Sequence, residues 1–168
     1  FPDFAINSST GEISIARSLN YESTQMYILQ IAARDQTSQP RSAIVDVTIN
    51  LEDVNDNPPF FFSQESVLNI TENNPPNVQL FTFEADDLDS VSLRGQITFA
   101  IESGDTNVFE LSPVNGMFRV LRMLDRETIS RYPLTVSATD NGVPSLTSWG
   151  QLEIMTGHAA AELCHATA

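Results

Sequence analysis

The chain has 168 residues, with 22 acids against 8 bases and a formal net charge of −14, and every base is an arginine. That length holds one domain and part of a second, with enough apolar content for a core. The charge argues against a nucleic-acid partner, which needs a cationic face. It makes a divalent cation a natural companion, although an acidic surface also serves solubility alone.

In chain order, Phe4 to Asp35 reads "FAINSSTGEISIARSLNYESTQMYILQIAARD", with a turn signal at Ser9-Thr10-Gly11 and strand-like alternation in "YILQIAARD". "AIVDVTINL" continues the period of two and runs into "LEDVNDNPPFF", Leu51 to Phe61. Further strands follow in "VQLFTFEA" and "QITFAI", then a turn at Asn115-Gly116, the strand "YPLTVSATD", and a turn at Asn141-Gly142 before Pro144. Phe109 to Asp140 repeats Phe4 to Asp35 without a gap at an offset of 105 residues, and Gly11/Gly116, Arg17/Arg122, Leu19/Leu124, Glu22/Glu127, Tyr27/Tyr132, Leu29/Leu134, Ala33/Ala138 and Asp35/Asp140 coincide. A period near 100 residues, filled with alternating strands, predicts antiparallel immunoglobulin-like β-sandwiches in tandem. The first is incomplete, because its early strands would precede Phe1, so the chain reads as a piece of a longer array.

The same offset maps Ile44–Ile49 onto Trp149–Ile154, still strand-like, with Trp149 expected in the core. It maps Asp53, Asn55, Asp56 and Asn57 onto His158, Ala160, Ala161 and Glu162, so the joint is not repeated. From about Met155 the Ala-rich text reads as an alternative end or an extraneous segment. His158, Glu162 and His165 would share a helix face beside Cys164, a conceivable zinc face, but so short an Ala-rich segment barely holds helix in water.

The joint concentrates oxygen ligands. Pro58 and Pro59 remove backbone donors and hold Asn57 extended. At about 3.3 Å per residue, Asp53 and Asp56 stand roughly 10 Å apart and face different ways, which suits several cations in a row. Asp86, Asp87 and Asp89 in "EADDLDS", Glu22 in "LNYE" and Asp140 in "SATDNG" lie where sandwich topology can bring them to the same border. Two carboxylates ~5 Å apart repel by roughly 3 kcal/mol at an effective dielectric near 20, so such a border calls for counter-charge. Calcium answers with six to eight oxygen ligands; magnesium is stricter in geometry, and the joint has no His or Cys for zinc.

These residues resemble cadherin repeats. The D-x-N-D-N-x-P run at Asp53–Pro59, L-D-R-E at Leu124–Glu127, A-x-D-x-D ending at Asp89 and A-x-D-x-G-x-P at Ala138–Pro144 each match a motif of that family, over residues 1 to about 155. The resemblance implies an all-β fold of tandem Greek-key sandwiches. Residues 1–57 would be the C-terminal part of one repeat, 53–59 a calcium-binding linker, 60–155 a nearly complete repeat, and 156–168 an atypical, disordered tail. It implies up to three Ca2+ per joint. Glu22 and Asp56 would be shared by two ions with Asp53, while Asn55, the Asn57 carbonyl, Asp87, Asp89 and Asp140 would form the cage of a third. Asn20 stands where the family has Asp, implying a weaker outermost site. Glu72, Asp125 and Glu127 look like ligands of a following joint and are expected to be without metal here.

The implied role is calcium-dependent cell–cell adhesion, with other cadherin ectodomains as homophilic or heterophilic partners, at the extracellular face of the plasma membrane. The rival is a secreted fragment acting as a soluble competitor or spacer. No stretch approaches the roughly 18 to 20 apolar residues of a membrane helix, so any signal and anchor are expected outside this chain. One cysteine, Cys164, excludes an internal disulfide framework. Asn7 and Asn69 open N-x-S/T triplets and are glycosylation candidates. Asp125 and Glu127 could be read as a paired-carboxylate glycosidase site, but nothing marks a cleft. "DLDSVS" is not an EF-hand, and no nucleophile elbow, H-E-x-x-H or phosphate loop occurs, so no small-molecule substrate or catalysis is expected.

Overall fold

The computed structural model describes residues 2–62 and 67–158. The chain divides into two compact units, Phe1–Val54 and Asn55–Ala168. The tail expected to be disordered from residue 156 begins later than that: Thr156 and Gly157 still belong to a strand, Thr147–Gly157, where they pair with Ile70 and Thr71, and Thr156 is buried. The alanine-rich residues beyond His158, with Glu162, Cys164 and His165, lie outside the described residues.

Unit 1 consists of two antiparallel hairpins. In the first, β1 (Phe4–Ile6) pairs with β2 (Ile13–Ile15). Its turn is closed by Asn7, whose carbonyl accepts from Gly11 N–H at 2.8 Å and whose Oδ1 accepts from Ser9 N–H at 2.9 Å. Gly11 sits at φ 76°, a conformation that costs glycine nothing. In the second, β3 (Met26–Arg34) pairs with β4 (Ser42–Asn50) from Met26↔Asn50 to Arg34↔Ser42. Phe4 packs edge-on against Tyr27 at 4.9 Å. Among the described residues of this unit Leu29 is the buried apolar side chain, while Ile6, Ile15, Met26, Ile28, Ile44 and Val45 are exposed.

Unit 2 is a full sandwich. One sheet orders β6 (Val67–Thr71), β13 (Thr147–Gly157), β12 (Arg131–Thr139) and β9 (Thr98–Ser103), with β6 and β13 parallel. The other orders β10 (Phe109–Leu111), β11 (Met117–Val120) and β7 (Val78–Thr82). A short pair, β5 (Phe60–Phe61) with β8 (Ala85–Asp86), forms a small antiparallel sheet of its own, and a single helical turn α1 (Val91–Arg94) links β8 to β9. The chain crosses between the two larger sheets from β6 to β7, from β9 to β10 and from β11 to β12, while β10–β11 and β12–β13 are antiparallel neighbours within one sheet.

Period-two alternation explains the packing. On β12, Tyr132, Leu134, Val136 and Ala138 point inward, and on β13 Leu152 and Ile154 do the same. They meet Phe109, Phe118, Val120 and Leu124 from the opposite side. Phe109 stacks on Phe118 at 5.5 Å and meets Tyr132 edge-on at 5.2 Å. Pro133 is tolerated because the β12–β9 pairing starts only at Thr135, so its missing N–H faces an unpaired side. Gly116, at φ 67°, lies against β7's end: a Cβ there would stand 2.0 Å from the Phe83 carbonyl oxygen.

Trp149 overturns its expected place in the core. It is 66% exposed, because Leu152 and Ile154 fix the even-numbered positions of β13 as inward and odd ones as outward.

Candidate calcium-binding site

Unit 2 gathers carboxylates and amides where the strand ends of β8 and β12 meet the segment before β5. Asp140, just past β12, is fully buried. Its Oδ1 accepts from the Gly142 and Leu146 N–H groups at 2.9 and 3.0 Å, which shapes the following loop. Its Oδ2 accepts from Asn55 Nδ2 at 3.1 Å, and the same Asn55 amide donates to the Pro144 carbonyl at 2.8 Å. Gly142 makes this approach possible, since a Cβ there would lie 2.2 Å from the Asn55 Cγ.

A second knot joins Asn57 to Asp89. Asn57 donates its backbone N–H to Asp89 Oδ2 at 3.2 Å and its Nδ2 to Asp89 Oδ1 at 2.7 Å. The same Nδ2 reaches Asp56 Oδ1 at 2.7 Å. Asp56 and Asp89 bring carboxylate oxygens within 4.8 Å of each other, a separation that costs about 1 to 3 kcal/mol between water-like and protein-like dielectrics. The Asn57 amide is the neutral bridge between them. Asp89 in turn donates its N–H to Asp87 Oδ1 at 2.9 Å, and both aspartates are buried. The groups that reach Asp89 and Asp140 are thus uncharged amides.

The donor set fits calcium. It is made of oxygens, from carboxylates and amides together. Asn55 Oδ1 is the decisive atom: it is buried with no hydrogen-bond partner, while its Nδ2 is fully used. A buried carbonyl oxygen without a donor is costly unless a cation takes it.

The remaining predicted ligands lie in unit 1 or at the other end of unit 2. Asp53 follows β4, and Glu22 keeps one carboxylate oxygen without a hydrogen-bond partner. Asn20 is already engaged: its Oδ1 accepts from Ser23 N–H at 2.8 Å and its carbonyl from Thr24 N–H at 3.1 Å. Asp125, its repeat counterpart, caps an equivalent turn by accepting from Glu127 N–H at 3.0 Å and the Thr128 hydroxyl at 2.6 Å. The Thr128 hydroxyl holds the Asp125 carboxyl below its ordinary value of 3.8. Glu72 and Glu127 belong to a different cluster, with His158. Asn7 and Asn69 are exposed, Asn69 on β6, so both sequons are accessible.

Sequence reasoning missed Pro144 as the carbonyl partner of Asn55 and the bridging role of the Asn57 side chain. The Asn-Gly-x-Pro run after Asp140 was the available signal for the first, and nothing local signals the second.

Comparison with known proteins is decisive for kinship. The sequence matches the Cadherin domain over residues 2–52 and again over 66–155. The chain belongs to the cadherin family. It is 41% identical to human Protocadherin-16 over 141 residues, which cover 84% of this chain and 4% of that protein. It is 39% identical to human Protocadherin Fat 1 over 84% of this chain and 3% of that protein, and 36% identical to Drosophila melanogaster Protein dachsous over 84% and 4%. The chain therefore spans a few per cent of the length of these relatives. Among solved structures, mouse Cadherin-23 EC22-24 superposes with a TM-score of 0.79 at 32% identity, covering 94% of this chain and 50% of that one. Protocadherin Gamma B2 extracellular cadherin domains 1-5 give 0.83 at 28% identity, covering 94% and 32%. The relatives and solved structures it matches are cadherins and protocadherins, among them extracellular cadherin domains, and none of these is named as an enzyme.

Proposed function

We propose that this chain is a calcium-binding adhesion module, a stretch of cadherin repeats whose linker at residues 53–59 takes up Ca2+ and thereby fixes the geometry of an extracellular rod. The single observation that carries the reading is Asn55 Oδ1, a buried acceptor without a donor among the acids of the linker border. Asn55, the Asn57 carbonyl, Asp87, Asp89 and Asp140 would hold one ion. Glu22, Asp53 and Asp56 would hold its neighbours, with Asp89 bridging and Asn20 contributing little because Ser23 already occupies its Oδ1. Calcium supplies the positive charge that lets these carboxylates share one border. The partners fitting this reading are other cadherin ectodomains, at the extracellular face of the plasma membrane.

Affinity is expected in the extracellular range of about 10⁻⁴ to 10⁻³ M per site. Calorimetry with Ca2+ should register uptake, and Asp56→Ala should abolish part of it. Chelation by EGTA should change the small-angle scattering profile while unit 2 stays folded. Identical calcium titrations for the parent chain and Asp56→Ala would reject the proposal.

A further inference from the structure

The opposite end of unit 2 carries a cluster that the linker at residues 53–59 does not use; its Glu72 and Glu127 are the residues expected above to be without metal, and His158 joins them. Three segments converge there. The parallel pairing of β6 and β13 ends at Thr71↔Gly157, and Glu72 N–H donates to the Gly157 carbonyl at 2.8 Å, which sets Glu72 beside His158. The loop after β11 is tied to the same place, because Asn73 N–H donates to the Leu124 carbonyl at 2.9 Å and Leu124 N–H to Asn74 Oδ1 at 3.2 Å. Glu127 therefore arrives on the third side. His158 Nδ1 lies 3.2 Å from Glu72 Oε1 and 3.8 Å from Glu127 Oε1, and one ligand atom of each residue falls within 4.8 Å of the others.

We propose that Glu72, Glu127 and His158 form a site for a divalent transition metal of the zinc class. Two oxygens and one imidazole nitrogen are a borderline donor set that suits Zn2+, whereas calcium takes oxygen alone. The repeat makes the change of chemistry visible. At the 105-residue offset Glu127 stands at the position of Glu22, but His158 stands at the position of Asp53, so a nitrogen replaces a carboxylate. Small inward shifts would bring the three atoms to the roughly 2.0 to 2.2 Å that zinc requires. The Glu72 side chain, 12% exposed, is the floor of the site, and those of His158 and Glu127, each 65% exposed, leave its mouth open for an ion and a water.

Arg126 is the competitor. Its Nη1 sits 2.6 Å from His158 Nε2 and 3.8 Å from Glu127 Oε1, supplying counter-charge in place of an ion. In that arrangement Nε2 accepts and Nδ1 carries the proton toward Glu72. Coordination through Nδ1 moves the ring proton to Nε2, and the Arg126 guanidinium must then swing away. Metal and guanidinium thus exclude one another.

The test is calorimetric titration of the whole chain with ZnCl2 in excess CaCl2, with folding followed by far-UV circular dichroism. Loss of partners that merely orient a ligand costs about 10- to 100-fold in affinity, so His158→Ala and Glu72→Gln, which lose ligands outright, should each weaken zinc uptake at least about tenfold. Arg126→Ala should tighten it. Cys164→Ser/His165→Ala, which removes the tail's thiol and imidazole, should leave it unchanged. Zinc uptake that survives His158→Ala or Glu72→Gln, that disappears with the tail substitutions, or that weakens in Arg126→Ala overturns the assignment.

Discussion

Gly142→Ala probes the linker border without touching a ligand. The added methyl would stand 2.2 to 2.3 Å from Cγ, Nδ2 and Oδ1 of Asn55, and the nearest atoms belong to a short side chain whose Nδ2 is held by two hydrogen bonds. Asn55 must therefore leave. Two hydrogen bonds go with it, one to the Asp140 carboxylate and one to the Pro144 carbonyl. A bond to a charged group contributes about 1.5 to 3 kcal/mol and a neutral one about 0.5 to 1.5, so the calcium-free protein should lose about 2 to 4.5 kcal/mol. Urea unfolding in EGTA, with the slope m compared between variants, measures this directly. The same substitution should weaken calcium uptake, because the orphaned Oδ1 moves with the side chain. A loss below about 0.5 kcal/mol, within the range of an uninvolved surface position, would refute the claim that Asn55 is locked against Gly142.

Phe118→Ala should cost about 3 to 5 kcal/mol in urea unfolding, since Phe118 is fully buried between Phe83 and Phe109, and a near-neutral result would contradict the placement of the core. Trp149, the chain's one tryptophan, should emit in the red and be quenched readily by acrylamide; blue-shifted, protected emission would contradict its outward placement. Thr128→Val should raise the Asp125 pKa toward 3.8 in an NMR titration. Because the folded value is depressed, the linked stability is present above the ordinary value and is lost as pH falls through the folded one. The variant should accordingly show a shallower decline of stability below pH about 4, and an unchanged slope and titration would contradict the Thr128 bond as the cause.

What the sequence disclosed and what it withheld follow from the same physics. The 105-residue register carries local hydrogen bonding faithfully. Asp35 accepts from the N–H groups of Thr37 and Arg41, two and six residues on, and Asp140 accepts from Gly142 and Leu146 at the same steps. Asn20 and Asp125 cap matching turns. Such caps depend on the backbone within a few residues, so motif spacing suffices to find them.

Burial depends on what arrives from elsewhere in the chain, and there the register is silent. Asp35 is exposed whereas Asp140 is fully buried, because Asn55, 85 residues away, closes over Asp140. Trp149 was misplaced for a related reason: its strand was legible, but strand parity was anchored only by the inward Leu152 and Ile154. The distinction bears most on His158. The register puts it at the position of an aspartate, and an aspartate there would have read as one more calcium ligand. Only the convergence of Glu72, Glu127 and Arg126 on its ring, which the register does not disclose, sets a nitrogen donor and a guanidinium among the carboxylates of that end.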